Sequence, residues 1–156
     1  MLSILLIEEL NSTINHYVYE HDLFAGGCCF SAYALAKSLK ELGIKYKVAI
    51  FQYNEILNEK IFNNAINGDG VSHVAIEVVY KHRKVMIGDC SNIYRYFSIT
   101  GQDFKIRKYS GIEPKEILDG YRNNEWNWCY NRACNGPLMR DINYVTKKYV
   151  EAYMNK

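Results

Sequence analysis

The sequence has no apolar run that approaches the roughly eighteen residues needed to cross a bilayer, which excludes a helical membrane span. It also lacks a strong excess of either charge. Nineteen Lys+Arg against seventeen Asp+Glu leave +2, far from the concentrated basic surface that phosphate-backbone binding requires, so no nucleic-acid partner is expected. The opening MLSILLIEEL has no basic leader, and its short apolar run meets Glu8 and Glu9 at once, which argues against an export signal. A soluble, cytoplasmic protein is the expectation. Its five cysteines, an odd number, then read as mostly reduced thiols rather than a disulfide framework. No Cys-x-x-Cys pair occurs among Cys90, Cys129 and Cys134, so neither zinc nor any other cofactor is expected. Repeats, low-complexity tracts and interdomain linkers are missing too. With 156 residues and 49% hydrophobic content, one domain over 1–156 is predicted.

Hydrophobic spacing supplies the elements. Leu6, Leu10, Ile14 and Tyr17 predict a helix from Leu2 to about Val18. After Gly26 and Gly27, the positions Ala32, Leu35, Ala36, Leu39 and Leu42 mark the clearest helix, which begins at Cys28 and is stopped by Gly43. Lys45 to Phe51 is compatible with a strand, Glu55 to Ile66 with a helix, and Asn67 to Gly70 with a turn. SHVAIEVVY and KVMIGDC flank the polar KHR and predict an antiparallel hairpin. Ile93 to Ile99 and Phe104 to Tyr109 are further strand candidates, Pro114 opens a helix in PKEILDGY, and a last helix runs from about Arg140. Two helices followed by mostly antiparallel strands indicate an α+β domain.

Cys28 is the candidate nucleophile. A thiol at a helix start meets unpaired N–H groups and the positive end of the helix dipole, and both stabilise the thiolate. Two preceding glycines keep side-chain bulk away from the sulfur. Ala32, Leu35, Leu39 and Leu42 follow Cys28 at offsets four, seven, eleven and fourteen, so Cys28 is expected to face the sheet. Cys29 shares the stripe of Tyr33, Lys37 and Lys40, which is expected to be solvated, and is given at most a backbone N–H for an oxyanion hole. Taken alone, a GCC stretch reads as small buried residues; a catalytic thiol also needs a base. Of the four histidines only His73 begins a strand, with Ala75 and Glu77 on its face and Val74, Ile76 and Val78 on the other. Asp89 ends the returning strand. A hairpin centred near Lys81 or His82, with an odd-numbered turn, would set Asp89 on the face of His73 and let it hold the imidazole in its useful tautomer.

These residues resemble the transglutaminase-like branch of the papain-like cysteine enzymes. The family pattern of Cys-x-x-x-Ala with Leu and Leu-Gly-Ile downstream is matched by Cys28, Ala32, Leu35, Leu39 and Leu42-Gly43-Ile44. Its second pattern, His with alternating apolar residues and Glu-Val before a strand ending in Asp, is matched by His73, Glu77-Val78 and Asp89. The likeness spans roughly Gly26 to Ser91, and two positions depart from it. Ala75 stands where the family often has an aromatic residue, and no Gln precedes Cys28 as it does in papain, which leaves a second oxyanion donor unassigned.

The resemblance implies a nucleophile-bearing helix packed on an antiparallel sheet, and acyl transfer from an amide through a thioester at a Cys28-His73-Asp89 triad. His73 would be base and then acid. Water as acceptor gives a peptidase, amidase or deamidase, whereas a lysine amine gives a transglutaminase; a protein or peptide substrate is expected either way. The rival reading is an inactive papain-like module that binds a protein or peptide. Trp126, Trp128 and Tyr130 are expected to close the core rather than line a cleft.

Overall fold

The computed structural model describes residues 8–14, 16, 28–53, 60–67, 71–80, 82–88, 104–123, 127, 130, 131, 139–141, 143, 144, 147 and 148. The helical residues 8–14 (α1) bury Leu10 and Ile14, one turn apart, as the spacing predicts. Then come α2 (Cys28–Glu41), β1 (Tyr46–Tyr53), α3 (Phe62–Asn67), β2 (Val71–Tyr80), β3 (Arg83–Ile87), β4 (Phe104–Ser110) and α4 (Pro114–Arg122). The class is α+β, with one four-stranded antiparallel sheet in the order β3-β2-β1-β4. Among the described residues, no helix is long and apolar enough to cross a membrane.

Alternation along the strands separates two cores. Val48 and Ile50 of β1 and Val74, Ile76 and Val78 of β2 turn to the helices and join the main cluster. Ala49, Phe51 and Ala75 form a smaller cluster on the other face, with Met86 and Ile106 against it. On that second face the carboxylate of Glu77, 3% exposed, pairs with Lys108 of β4. Register explains the reach: Ala49 lies between Ala75 and Lys108, and its single methyl leaves room for the lysine to cross β1.

Helix α2 packs against both β2 and α4. Its small residues Ser31, Ala32, Ala34, Ala36 and Ser38 are all buried and let both neighbours come close. It ends as Gly43 predicts. The Ile44 N–H donates to the Leu39 carbonyl and the Gly43 N–H to that of Lys40, the paired bonds of a Schellman stop. Pro114 opens α4 as expected, and the Glu113 N–H donates to the Glu116 carboxylate at 2.7 Å, satisfying one amide at the start of the helix.

Three expectations change. The helix expected over Glu55 to Ile66 does not run through, because Lys60 and Ile61 are not helical and α3 starts at Phe62. The hairpin turn is even-numbered: Tyr80 pairs with Arg83, which leaves Lys81 and His82 as a two-residue loop, with His82 at φ 63°. A positive φ there matches the right-handed twist of the flanking strands. Cys29 is not on a solvated stripe but 0% exposed in the main cluster, with Phe30, Ala32 and Ala34 of the same helix. The strand expected at Ile93 to Ile99 lies outside the described residues, as do Trp126, Trp128, Cys90, Cys129 and Cys134.

Candidate active site

Cys28 is the first residue of α2 and is half-buried, so of the two neighbouring thiols it is the accessible one. Its sulfur lies where the start of α2, β2 and α4 meet. Strand β3 stops pairing with β2 at Ile76–Ile87. The Val74 N–H of β2 donates to the Cys28 sulfur. His73, the preceding residue, hydrogen-bonds the same sulfur with its side chain.

A β-bulge sits beside His73. Phe51 pairs with His73 but Gln52 pairs with Val71, so Ser72 is an extra residue on β2. Such an insertion bends a strand and redirects the side chains next to it. It moves Val71 onto the helix-facing side with the main cluster, and it leaves the His73 ring edge-on to Phe51, centroids 5.5 Å apart at 71°. His73 keeps 9% exposure.

The ring is fixed at its other end as well. His73 Nε2 lies 2.7 Å from the Gly88 carbonyl oxygen. A carbonyl only accepts, so Nε2 carries a proton and Nδ1 is the nitrogen that serves Cys28. Gly88 has φ 112°, which side-chain-bearing residues rarely adopt, and a Cβ there would come 3.4 Å from the Ala75 Cα. The glycine thus lets the chain leave β3 and pass close over β2 with its carbonyl aimed at His73. Asp89, expected to orient His73, lies outside the described residues. The same-face argument for it does not hold, because the two-residue loop gives a register in which Met86, opposite Glu77, shares the His73 face. Among the described residues the orienting acceptor is the Gly88 carbonyl.

The sequence reading missed one member of the site. Tyr121 of α4, 2% exposed, places its hydroxyl 3.1 Å from the Cys28 sulfur. The close seat of α4 on α3 holds it there: a Cβ on Gly120 would fall 2.5 Å from the Ile66 Cγ2. No spacing links positions 93 residues apart, and in the sequence Tyr121 is one of fourteen tyrosines.

These contacts set the thiol chemistry. Burial pushes the Cys28 thiol up, but the His73 hydrogen bond and charge, the Tyr121 hydroxyl and the Val74 N–H together hold it below the ordinary thiol value. At neutral pH more of the sulfur is therefore thiolate than in an ordinary cysteine. No protein-family model, curated protein or solved structure matches the chain. The reading of the site rests on its geometry.

Replacing Tyr121 by Phe keeps the ring in place and removes one donor to a charged sulfur. Alkylation of Cys28 by iodoacetamide below neutral pH is expected to slow by about tenfold, in line with the strength of hydrogen bonds to charged groups. The pH profile of the reaction should move upward. An unchanged profile in a folded variant would show that the hydroxyl does not support the thiolate.

Proposed function

We propose that this chain is a cysteine acyl-transfer enzyme of papain-like, transglutaminase-like construction that acts on amide bonds of a protein or peptide. The observation that carries the reading is the His73 side chain bonded to a half-buried thiol at a helix start, with the imidazole anchored on its far side by the Gly88 carbonyl. Base, nucleophile and an orienting acceptor thus come from β2, the start of α2 and the residue that follows β3. The roles are Cys28 as nucleophile and His73 as acid and base, with the Gly88 carbonyl as the acceptor that holds the ring.

The Cys28 thiolate adds to the substrate carbonyl carbon, forming a C–S bond and moving the carbonyl electron pair onto oxygen. The N–H groups of the first turn of α2, Cys29 included, lie at the positive end of the helix and stabilise that charge. The oxygen pair returns, the C–N bond breaks, and the His73 imidazolium gives its proton to the leaving nitrogen. The thioester is then attacked by water or an amine, which passes its proton to His73 as the C–S bond breaks and the thiolate is restored.

Iodoacetamide labelling of the native protein across pH, with mass-spectrometric identification of the alkylated residue, tests the site. Cys28 should react first and below the ordinary thiol range, while buried Cys29 stays unmodified. Peptide, glutamine and amine-acceptor substrates should then be turned over by the wild type and not by Cys28→Ala. A Cys28 that reacts like an ordinary thiol, together with no turnover, would leave the binding module as the better description.

A further inference from the structure

At the far end of α2, 14 residues and so about 20 Å from Cys28, the ends of β1, β2 and β4 line a half-open pocket of about 630 Å³. This volume falls within the usual range for small-molecule sites, roughly 300–1,000 Å³. Ile44, Tyr46, Val79 and Ile112 are the pocket's large apolar lining residues. Val79 is 59% exposed.

The charges of the lining do not balance. Both carboxylates in the lining are already committed, Glu113 to Lys40 and Glu77 to Lys108. Lys45, Lys47 and Lys84 also line the cavity, all exposed, and none has an ion pair among the described residues. The Tyr46 hydroxyl donates to the Ile112 carbonyl at 2.5 Å. Burial, with Glu113 and Glu116 nearby, pushes this phenol up to about 12, so it adds no negative charge at neutral pH. Three lysines of the lining are therefore without an ion pair among the described residues.

We infer that this cavity binds a small amphipathic carboxylate, its hydrocarbon body against Ile44, Tyr46, Val79 and Ile112 and its head among Lys45, Lys47 and Lys84. The apolar residues remove the body from water, and the lysines select the sign of the head group. The cavity is separate from the Cys28 site, so the inference does not depend on the acyl-transfer reading.

Amide-resolved NMR titration of the full chain tests it with three probes of equal chain length: octanoate, octan-1-ol and octyltrimethylammonium. Octanoate should shift the resonances of Ile44 to Lys47, Val79, Lys84 and Ile112, and bind about tenfold more tightly than either comparator. Added salt should weaken it. The variant Lys45→Glu/Lys84→Glu, altered only at exposed positions, should keep the wild-type circular dichroism and lose octanoate binding by about tenfold or more. The inference is overturned if octanoate does not bind, if the alcohol binds equally well, if the shifts fall elsewhere, or if the folded double variant binds as the wild type does.

Discussion

His73→Gln is expected to lower acyl-transfer turnover by about 10²–10⁴-fold, the usual weight of a positioned acid–base group. Glutamine keeps an N–H donor for the Gly88 carbonyl but offers no nitrogen that titrates near neutral pH. The expectation rests on how much of the support for the Cys28 thiolate comes from His73. Burial is the largest single influence on the thiol and opposes the thiolate, and two of the four opposing contributions, a hydrogen bond and a charge, come from His73. Without them the desolvation acts against only Tyr121 and the Val74 N–H, so the iodoacetamide profile of Cys28 should move to higher pH. The direction follows from the sign: a thiol held low is reactive well below its ordinary range, and that reactivity disappears as its titration rises. A His73→Gln protein with the wild-type melting temperature and an unshifted profile would remove His73 from the site.

The second large effect concerns stability. Lys108→Met should destabilise the fold by about 2–4 kcal/mol, measured by urea unfolding at neutral pH. Removing one partner of a buried pair strands the other charge, at roughly 3–5 kcal/mol when both are buried. The estimate is lowered because Lys108 is 34% exposed while Glu77 is 3% exposed. Lys108→Arg should recover most of the loss, and so should Glu77→Leu combined with Lys108→Met, since the apolar pair leaves no carboxylate without its cation. A loss under about 0.5 kcal/mol in the single variant would mean that Glu77 finds another partner or water, and that the pair does not hold β4 to the sheet.

Much of the architecture is legible in the residues because it depends on neighbours in the chain. Helix α2 shows its start and stop in Cys28 and Gly43, since helical spacing and a Schellman turn are set within a few residues. The apolar Val74, Ile76 and Val78 face declares itself because strand alternation needs no partner to be seen. The hairpin is equally plain from composition, yet its loop length is not. One residue in the turn reverses which side chains share a face, and that single-residue difference removed the geometric reason for placing Asp89 beside His73. Cys29 was misplaced for a related reason. The polar stripe at Lys37 and Lys40 describes the exposed end of α2, whereas burial at its start is imposed by α4 and the sheet, which no helical wheel contains.

Cys28 and His73 were readable as a pair because each carries a local signal, a helix start and a strand start. What surrounds them was decided by packing. The Tyr121 hydroxyl, the Gly88 carbonyl, the Val74 N–H and the bulge at Ser72 reach the site only after α4 has seated on α3 and β3 has ended over β2. The lysine-lined pocket belongs with them, for Lys45, Lys47 and Lys84 look like ordinary solvated residues until the strand ends bring them into one lining with Ile44, Tyr46, Val79 and Ile112. Periodicity and turn chemistry act over a few residues and are written in the chain. Contacts between residues as distant as Cys28 and Tyr121 depend on which faces meet, and only the folded chain brings those faces together.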